Sequence, residues 1–165
     1  MNLKYLSIIS IAGFLFSCST GEKAESENTN EEVVEESAVQ EEEIELIGAA
    51  AELNADQSVY FVSPEDGAEL SSPVVVEFGV EGMEVEPAGA LSKNKGHHHI
   101  IINGSFVPKS EVVPADDTHI HYGAGQLSDT LELEPGEYTL TMQFADGLHN
   151  SYGEQMSATI SIKVN

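Results

Sequence analysis

The sequence predicts that residues 57–165 form an all-β domain, an immunoglobulin-like two-sheet β-sandwich. Short runs of β-branched and aromatic residues recur along this stretch, and each is followed by a turn rich in Gly, Pro, Asn or Asp. The last run, Ser157–Val164, alternates apolar and polar residues, a pattern typical of a half-buried strand. No helix of ordinary length is indicated among these runs. About seven short strands separated by turns are typical of a β-sandwich.

The predicted strands follow one another between recognisable turns. The first, Val59–Val62, ends at the turn motif SPEDG, and the second, Val74–Val80, is rich in valine. The third ends at Asn103-Gly104, a pair typical of tight hairpin turns. We expect a short strand near Phe106-Val107 and further strands at residues 98–102, 119–122, 130–133, 138–144 and 157–164.

A long segment without hydrophobic periodicity, residues 82–96, precedes the third strand. Loops of this length inside a compact domain are often functional. The segment leads directly into three consecutive histidines, so we expect it to lie beside a functional site.

The N-terminus is predicted to be a lipoprotein signal peptide, residues 1–17. Lys4 precedes a short apolar run at residues 5–16, and the only cysteine of the chain, Cys18, follows Ser17 where that run ends. This arrangement resembles a bacterial lipobox, which implies cleavage before Cys18 and lipidation of that residue. We therefore expect a lipid-anchored protein of the cell envelope. Residues 18–56 are predicted to be the lipidated Cys and an acidic disordered linker, because they carry runs of like charge and few large apolar side chains.

The charge of the chain excludes some partners. The formal net charge is −23, and the six basic residues are all lysine. Binding to nucleic acid depends on neutralising phosphates, so we expect no nucleic-acid partner. The predicted membrane contact is the lipid at Cys18. The sequence does not identify a protein or glycan partner.

Histidine is concentrated in two clusters, in the motifs GHHHIIINGS and THIHYGAGQ, and a sixth histidine lies in FADGLHNSYG. Side chains of a strand alternate between its faces, so His97 and His99 share one face, His98 takes the other, and the second cluster forms its own pair. Two such pairs on neighbouring strands predict a site for copper or zinc. The predicted metal ligands are His97, His99, His119, His121 and His149. The predicted residues around them are Asp116, Asp117, Tyr122 and Tyr152.

Other interpretations of the histidines stay open. A pair of histidines on one face can form a buried hydrogen-bond network with Tyr122, Tyr152 and Asp146, and imidazoles can also serve as pH sensors. His98 is expected to be a core residue whose ring donates to a backbone carbonyl. If the histidines have a structural role of this kind, we expect the domain to be a non-catalytic interaction module for a protein or glycan partner. No motif indicates a catalytic nucleophile or a phosphate-binding loop, so an enzyme would need a metal-activated water or a redox copper.

The ordered motifs GHHHIIING, DDTHIHYGAGQ and LELEPGEYTLTMQFADGLHNSYG resemble the bacterial family of domains of unknown function DUF4399. The resemblance covers residues 58–164 and implies a small exported or lipoprotein domain, without an assigned activity. The family pattern falls here on Gly96, His97, His98, His99, His119, His121, Gly123, Gln126, Asp146, His149, Tyr152 and Gly153.

Overall fold

Two β-sheets of unequal size form the fold. The structure, a computed structural model, describes residues 46–165. The strands in this part of the chain are β1 (Ser58–Ser63), β2 (Ala68–Leu70), β3 (Val74–Glu81), β4 (Glu84–Val85), β5 (Lys95–Ile102), β6 (His119–His121), β7 (Ser128–Leu131), β8 (Gly136–Ala145) and β9 (Ser157–Val164). Two short 3-10 helices, Gly48–Ala50 and Glu154–Met156, accompany them.

The smaller sheet has the strand order β1-β3-β7, and the larger one has the order β2-β9-β8-β5-β4, with β6 also paired to β5. The main hydrophobic core joins side chains of both sheets, such as Val76 and Phe78 of β3 with Ile100 of β5 and Phe144 of β8. Burial alternates along β3, as expected for a strand with one face on a core. The predicted all-β, two-sheet β-sandwich is confirmed.

Strand β5 is buried on both faces, without a break from Gly96 to Ile101. His98 and Ile100 point toward the main core, where the His98 ring lies 5.2 Å from that of Phe78. Ile101 points to the outer face and packs against Val107, Val113 and Ala145. A second, smaller core therefore covers the outer face of the larger sheet beside the histidines.

Some elements differ from the sequence prediction. No strand forms near Phe106-Val107, because the Val107 amide donates to the side chain of Gln143 and not to a neighbouring strand. Strands β2 and β4 were not predicted, and β4 lies within the segment expected to be a loop. Both strands are short. β2 pairs in parallel with β9, and β4 pairs in parallel with β5, so no hairpin turn motif in the sequence indicates them.

The folded part of the chain includes residues upstream of 57, where we predicted the domain to begin. Ala49 is 1% exposed and belongs to the main core, and Leu53 packs against that core. The predicted signal peptide, Cys18 and most of the predicted linker lie outside the described residues.

Within residues 46–165, no helix is long and apolar enough to cross a membrane.

Candidate metal centre

Three histidine rings converge on the outer face of the larger sheet. His97 and His99 lie two residues apart on β5, and the antiparallel register of β5 and β6 places His121 directly opposite His99. The Nε2 atom of His97 lies 3.1 Å from Nε2 of His99 and 3.1 Å from Nε2 of His121. The nitrogens of these three residues all lie within 4.8 Å of one another, close enough to bind one metal ion.

A fourth histidine, His149, reaches the same place from the turn that follows β8. Ala145, the last residue of β8, pairs with His97, and the chain then reverses so that the Asp146 amide donates to the Asn150 carbonyl. His149 occupies the left-handed region at φ 70° on this turn. Its Nε2 atom lies 3.1 Å from Nε2 of His121.

Consecutive Nε2 atoms in the cluster are spaced like two ligands of one first-row metal ion. Zinc–imidazole bonds are about 2.0–2.1 Å long, so two nitrogens of a tetrahedral site are about 3.3 Å apart. The three consecutive contacts, His99–His97, His97–His121 and His121–His149, each measure 3.1 Å. The nitrogens of His97, His99 and His121 all lie within 4.8 Å of one another, and Nε2 of His149 adjoins this group through His121.

Hydrogen bonds among the rings cannot account for all three contacts. A neutral imidazole nitrogen carries either one hydrogen or one lone pair, so each Nε2 atom can make one well-aligned hydrogen bond. Nε2 of His97 has two such neighbours, as does Nε2 of His121. Hydrogen bonding can therefore satisfy two of the three contacts, whereas a metal ion can accept a lone pair from all four nitrogens.

Burial keeps the two rings on β5 uncharged. His97 is 0% exposed, and burial, followed by the nearby His121 and His149, lowers its pKa to about 4. Burial lowers the pKa of His99 still further, and it also lowers the pKa of His121. Metal binding needs the neutral form of histidine, so these rings do not have to lose a proton to a metal ion at neutral pH.

One side of the cluster is open to solvent. His97 and His99 are buried, whereas His149 is half-buried and His121 is exposed. An ion can therefore approach from the side of His121 and His149, while the two rings on β5 form the rigid floor of the site.

Residues 76–165 match the family model described as domain of unknown function (DUF4399). The chain belongs to this family. The match extends from β3 to the C-terminus and includes all four converging histidines, although we expected it to begin near residue 58. No curated protein and no solved structure matches the chain.

Small residues of this DUF4399 domain make room for the rings and for the loop beside them. The His121 ring lies where a Cβ atom on Gly123 would be, so any side chain at position 123 would displace it. The Ala88 amide donates to the Gly123 carbonyl at 2.9 Å, and the Gly89 amide donates to the Gly147 carbonyl at 2.8 Å. The loop after β4 thus connects the turn that follows His121 with the turn that carries His149, so it lies beside the histidines, as its position in the sequence predicted.

Asp146 shapes the turn that carries His149. Its Oδ1 atom accepts hydrogen bonds from the amides of Leu148 and Asn150, at 2.9 and 3.0 Å, and the His149 amide donates to its backbone carbonyl. Such local side-chain bonds are typical of aspartate in turns. One interpretation of the sequence placed Asp146 in a hydrogen-bond network with the histidines. The motif ADGLHN, in which Asp and Gly precede the histidine, was the available signal for this turn.

The structure places His119 outside the converging set. The predicted meeting of the two histidine pairs requires His119 to lie opposite His99, but the register pairs it with Ile101. Its Nδ1 atom lies 2.8 Å from the Asp116 carboxylate. Asp116 therefore contacts the one predicted ligand that is not in the cluster, and hydrogen bonds from His119 and Thr118 hold the pKa of Asp116 well below its usual range.

The other predicted neighbours also make different contacts. The Tyr122 hydroxyl donates to Asp129, and the Tyr152 hydroxyl donates to the Lys95 carbonyl. Burial raises the pKa of both hydroxyls, so they stay protonated. Asp117 is exposed on the loop before β6. The hydroxyl groups of the tyrosines are thus committed elsewhere, and the hydrogen-bond network predicted between them and the histidines is not formed.

His98 faces the main core, as the alternation of β5 predicted. Its ring packs 5.2 Å from that of Phe78 and 5.0 Å from that of Phe144. Neither ring nitrogen has a hydrogen-bond partner, so the expected bond to a backbone carbonyl is absent. Burial lowers the pKa of His98 to about 4.

Proposed function

We propose that this domain binds one transition-metal ion, copper or zinc, through the Nε2 atoms of His97, His99, His121 and His149. The observation that carries the proposal is the chain of three 3.1 Å contacts between four Nε2 atoms, one contact more than hydrogen bonds between these atoms can satisfy. Imidazole is a ligand that both metals accept, and residues 46–165 contain no cysteine.

The proposed role is metal capture, delivery or sensing at the cell envelope. Cys18, at the end of the apolar N-terminal run, supports a lipid anchor for this role. The exposed His121 supports exchange of the ion with the surroundings, because that side of the site is accessible to solvent. The net charge of −23 favours the approach of cations over that of anions.

Metal titration of the purified chain tests the proposal. We expect Cu(II) and Zn(II) each to bind in one equivalent by calorimetry and by elemental analysis after gel filtration. Replacing His97 and His99 by Ala together removes the two buried ligands and should abolish binding. The matched control is His119→Ala, which removes a histidine from the same face of the sheet but outside the cluster, and which should keep full occupancy. Equal metal content in the wild type and the double variant would exclude the site.

The coordination number can be tested separately with Co(II), whose visible spectrum is intense in a tetrahedral site. His149→Ala is expected to retain Co(II) through the three remaining rings, with a changed spectrum. A spectrum identical to that of the wild type would show that His149 is not a ligand.

A second candidate function is a non-catalytic interaction module for a protein or glycan partner. Tyr60, Val62 and Val75 support it, because these large side chains are 43–56% exposed on the two adjacent strands β1 and β3. Thermal melts distinguish the two candidates. A metal site predicts a rise of several degrees in Tm with added metal and a reversal by EDTA, since binding to the folded state stabilises it. An unchanged Tm favours the module.

A further inference from the structure

We infer that Asp146 is a positioning residue of the metal centre and that it couples the centre to the upstream segment Gly48–Ala50, which we call the strap. The inference rests on the proposed metal site. It assigns two roles to one buried carboxylate: a counter-charge for the bound ion, and a mechanical link between the strap and the turn that carries His149.

The counter-charge role follows from the ligand set. Four neutral imidazoles leave the whole positive charge of a bound ion uncompensated, and a nearby buried carboxylate stabilises such a charge strongly. Asp146 is 2% exposed, and its carboxylate accepts hydrogen bonds from neutral amide groups. Asp146 directly follows Ala145, the residue paired with His97 on the neighbouring strand. A metal ion at Nε2 of His97 would therefore lie near this negative charge.

The mechanical role follows from the backbone amides that donate to each oxygen of the Asp146 carboxylate. Oδ1 accepts the amides of Leu148 and Asn150, which lie on either side of His149. Oδ2 accepts the Ala49 amide at 3.0 Å, a contact between residues 97 positions apart in the chain. A carboxylate is one rigid planar group, so its two oxygens move together. If the turn moves Oδ1, Oδ2 moves relative to the strap, and if the strap moves Oδ2, Oδ1 moves relative to the turn.

The strap packs closely against Asp146 and the Leu91 side chain. Ala49 is 1% exposed, and Gly48 adopts a φ of +64°. A Cβ atom on Gly48 would lie 2.7 Å from Oδ2 of Asp146 and would also collide with the Leu91 side chain. Glycine therefore serves both the backbone conformation and the close approach to the carboxylate.

Coupling of this kind is reciprocal. If a bound metal holds His149 and its turn in place, the strap becomes more stable, and by the same free energy a docked strap raises the affinity for the metal. The strap lies near the C-terminal end of the segment predicted to be an acidic linker, residues 18–56. Metal occupancy would then change the stability of the segment at the start of the folded domain.

Hydrogen exchange of the full chain, with Zn(II) as the probe, tests the coupling. We expect the Ala49 amide to exchange several-fold more slowly with Zn(II) bound than without it. In the converse experiment, Gly48→Ala should weaken Zn(II) binding about tenfold, a size typical of groups that orient metal ligands. The control is Gly67→Ala, which places the same Cβ at a φ of +80° where no atom lies within 4 Å, and which should leave the affinity unchanged.

Co(II) spectra separate positioning from general destabilisation. With Gly48→Ala, the Co(II) spectrum should move toward that of His149→Ala, whereas Gly67→Ala should keep the wild-type spectrum. If Gly48→Ala does not fold, the Ala49 exchange rate in the wild type decides the question.

The possible failures are distinguishable. If the full chain binds no Zn(II), the proposed metal site and the coupling both fail. If it binds Zn(II) with an unchanged Ala49 exchange rate, or if both glycine variants bind Zn(II) equally, the coupling is overturned and the metal site stands.

Discussion

At the residue scale, the candidate centre depends on small residues as much as on its histidines. Ala145, paired with His97, leaves space on the outer face of β8, and Gly123 leaves space for the His121 ring. Gly147 lies so close to the Ala90 carbonyl that a side chain there would push the loop away from the His149 turn. A site built from large rings on adjacent strands needs such gaps, because protein interiors are close-packed.

Gly123→Ala is therefore expected to weaken metal binding without removing a ligand. The added Cβ would displace the His121 ring, and we expect the affinity for Zn(II) to fall about tenfold or more. Competition with a chromophoric chelator measures this change. Gly136→Ala is the control, since its Cβ would meet no atom closer than 3.5 Å. The same affinity in both variants would contradict the packing explanation.

At the scale of elements, strand β5 places its three consecutive histidines in two different environments. Its outer face carries His97 and His99 in the candidate centre, and its inner face carries His98 in the main core between Phe78 and Phe144. The inner histidine has no hydrogen-bond partner for either ring nitrogen. A buried polar group without partners destabilises the fold, and its protonation destabilises it further.

Acid stability provides a test of this assignment. The pKa of His98 is about 4 in the folded chain and about 6.5 without burial, so the unfolded state binds more protons between these pH values. The free energy of unfolding therefore falls as the pH falls from about 6.5 to about 4. His98→Leu removes this dependence, and we expect it to stabilise the metal-free domain on the order of 2 kcal/mol at pH 4.5 relative to the wild type.

Urea unfolding at pH 7 and pH 4.5 measures the effect of His98→Leu. His119→Leu is a control for the loss of an imidazole, because His119 is only half-buried and bonds to the exposed Asp116. His97 and His99 retain part of the pH dependence in both variants. An equal loss of stability on acidification in the wild type and in His98→Leu would contradict the inner-face assignment.

At the scale of the whole molecule, the net charge and the N-terminal lipobox-like motif relate to the predicted location of the domain at a membrane surface. The chain carries −23 formal charges, and His121 of the candidate centre is exposed on the β-sandwich. A lipid anchor at Cys18 would hold the domain at a membrane surface.

Cys18→Ala tests the anchor. We expect the wild-type chain to sediment with membranes in bacterial cells and to partition into the detergent phase, and the variant to remain in the aqueous phase. Metal binding by the variant should be unchanged, because the ligands lie in the β-sandwich. A wild-type chain found in the aqueous phase would exclude lipidation.

The sequence alone determined the fold class, most strands and the division of faces on β5. These properties depend on alternation and on turn residues, which are local, and they correctly separated His98 from His97 and His99. The pairing of strands is not local. A register that places His121 opposite His99 excludes His119 from the cluster. The sequences of β5 and β6 do not distinguish this register from one shifted by two residues, because both registers bury the same faces.

The tertiary structure alone decided which histidines meet. His149 joins through a turn held by Asp146, and Asp146 contacts Ala49 across 97 positions of sequence. Such contacts depend on how the two ends of the domain pack together, which residue spacing does not encode. The sequence therefore identified the chemistry of the site, imidazole on a β-sheet, whereas the membership of the site depended on strand register and on a turn closed by a distant segment.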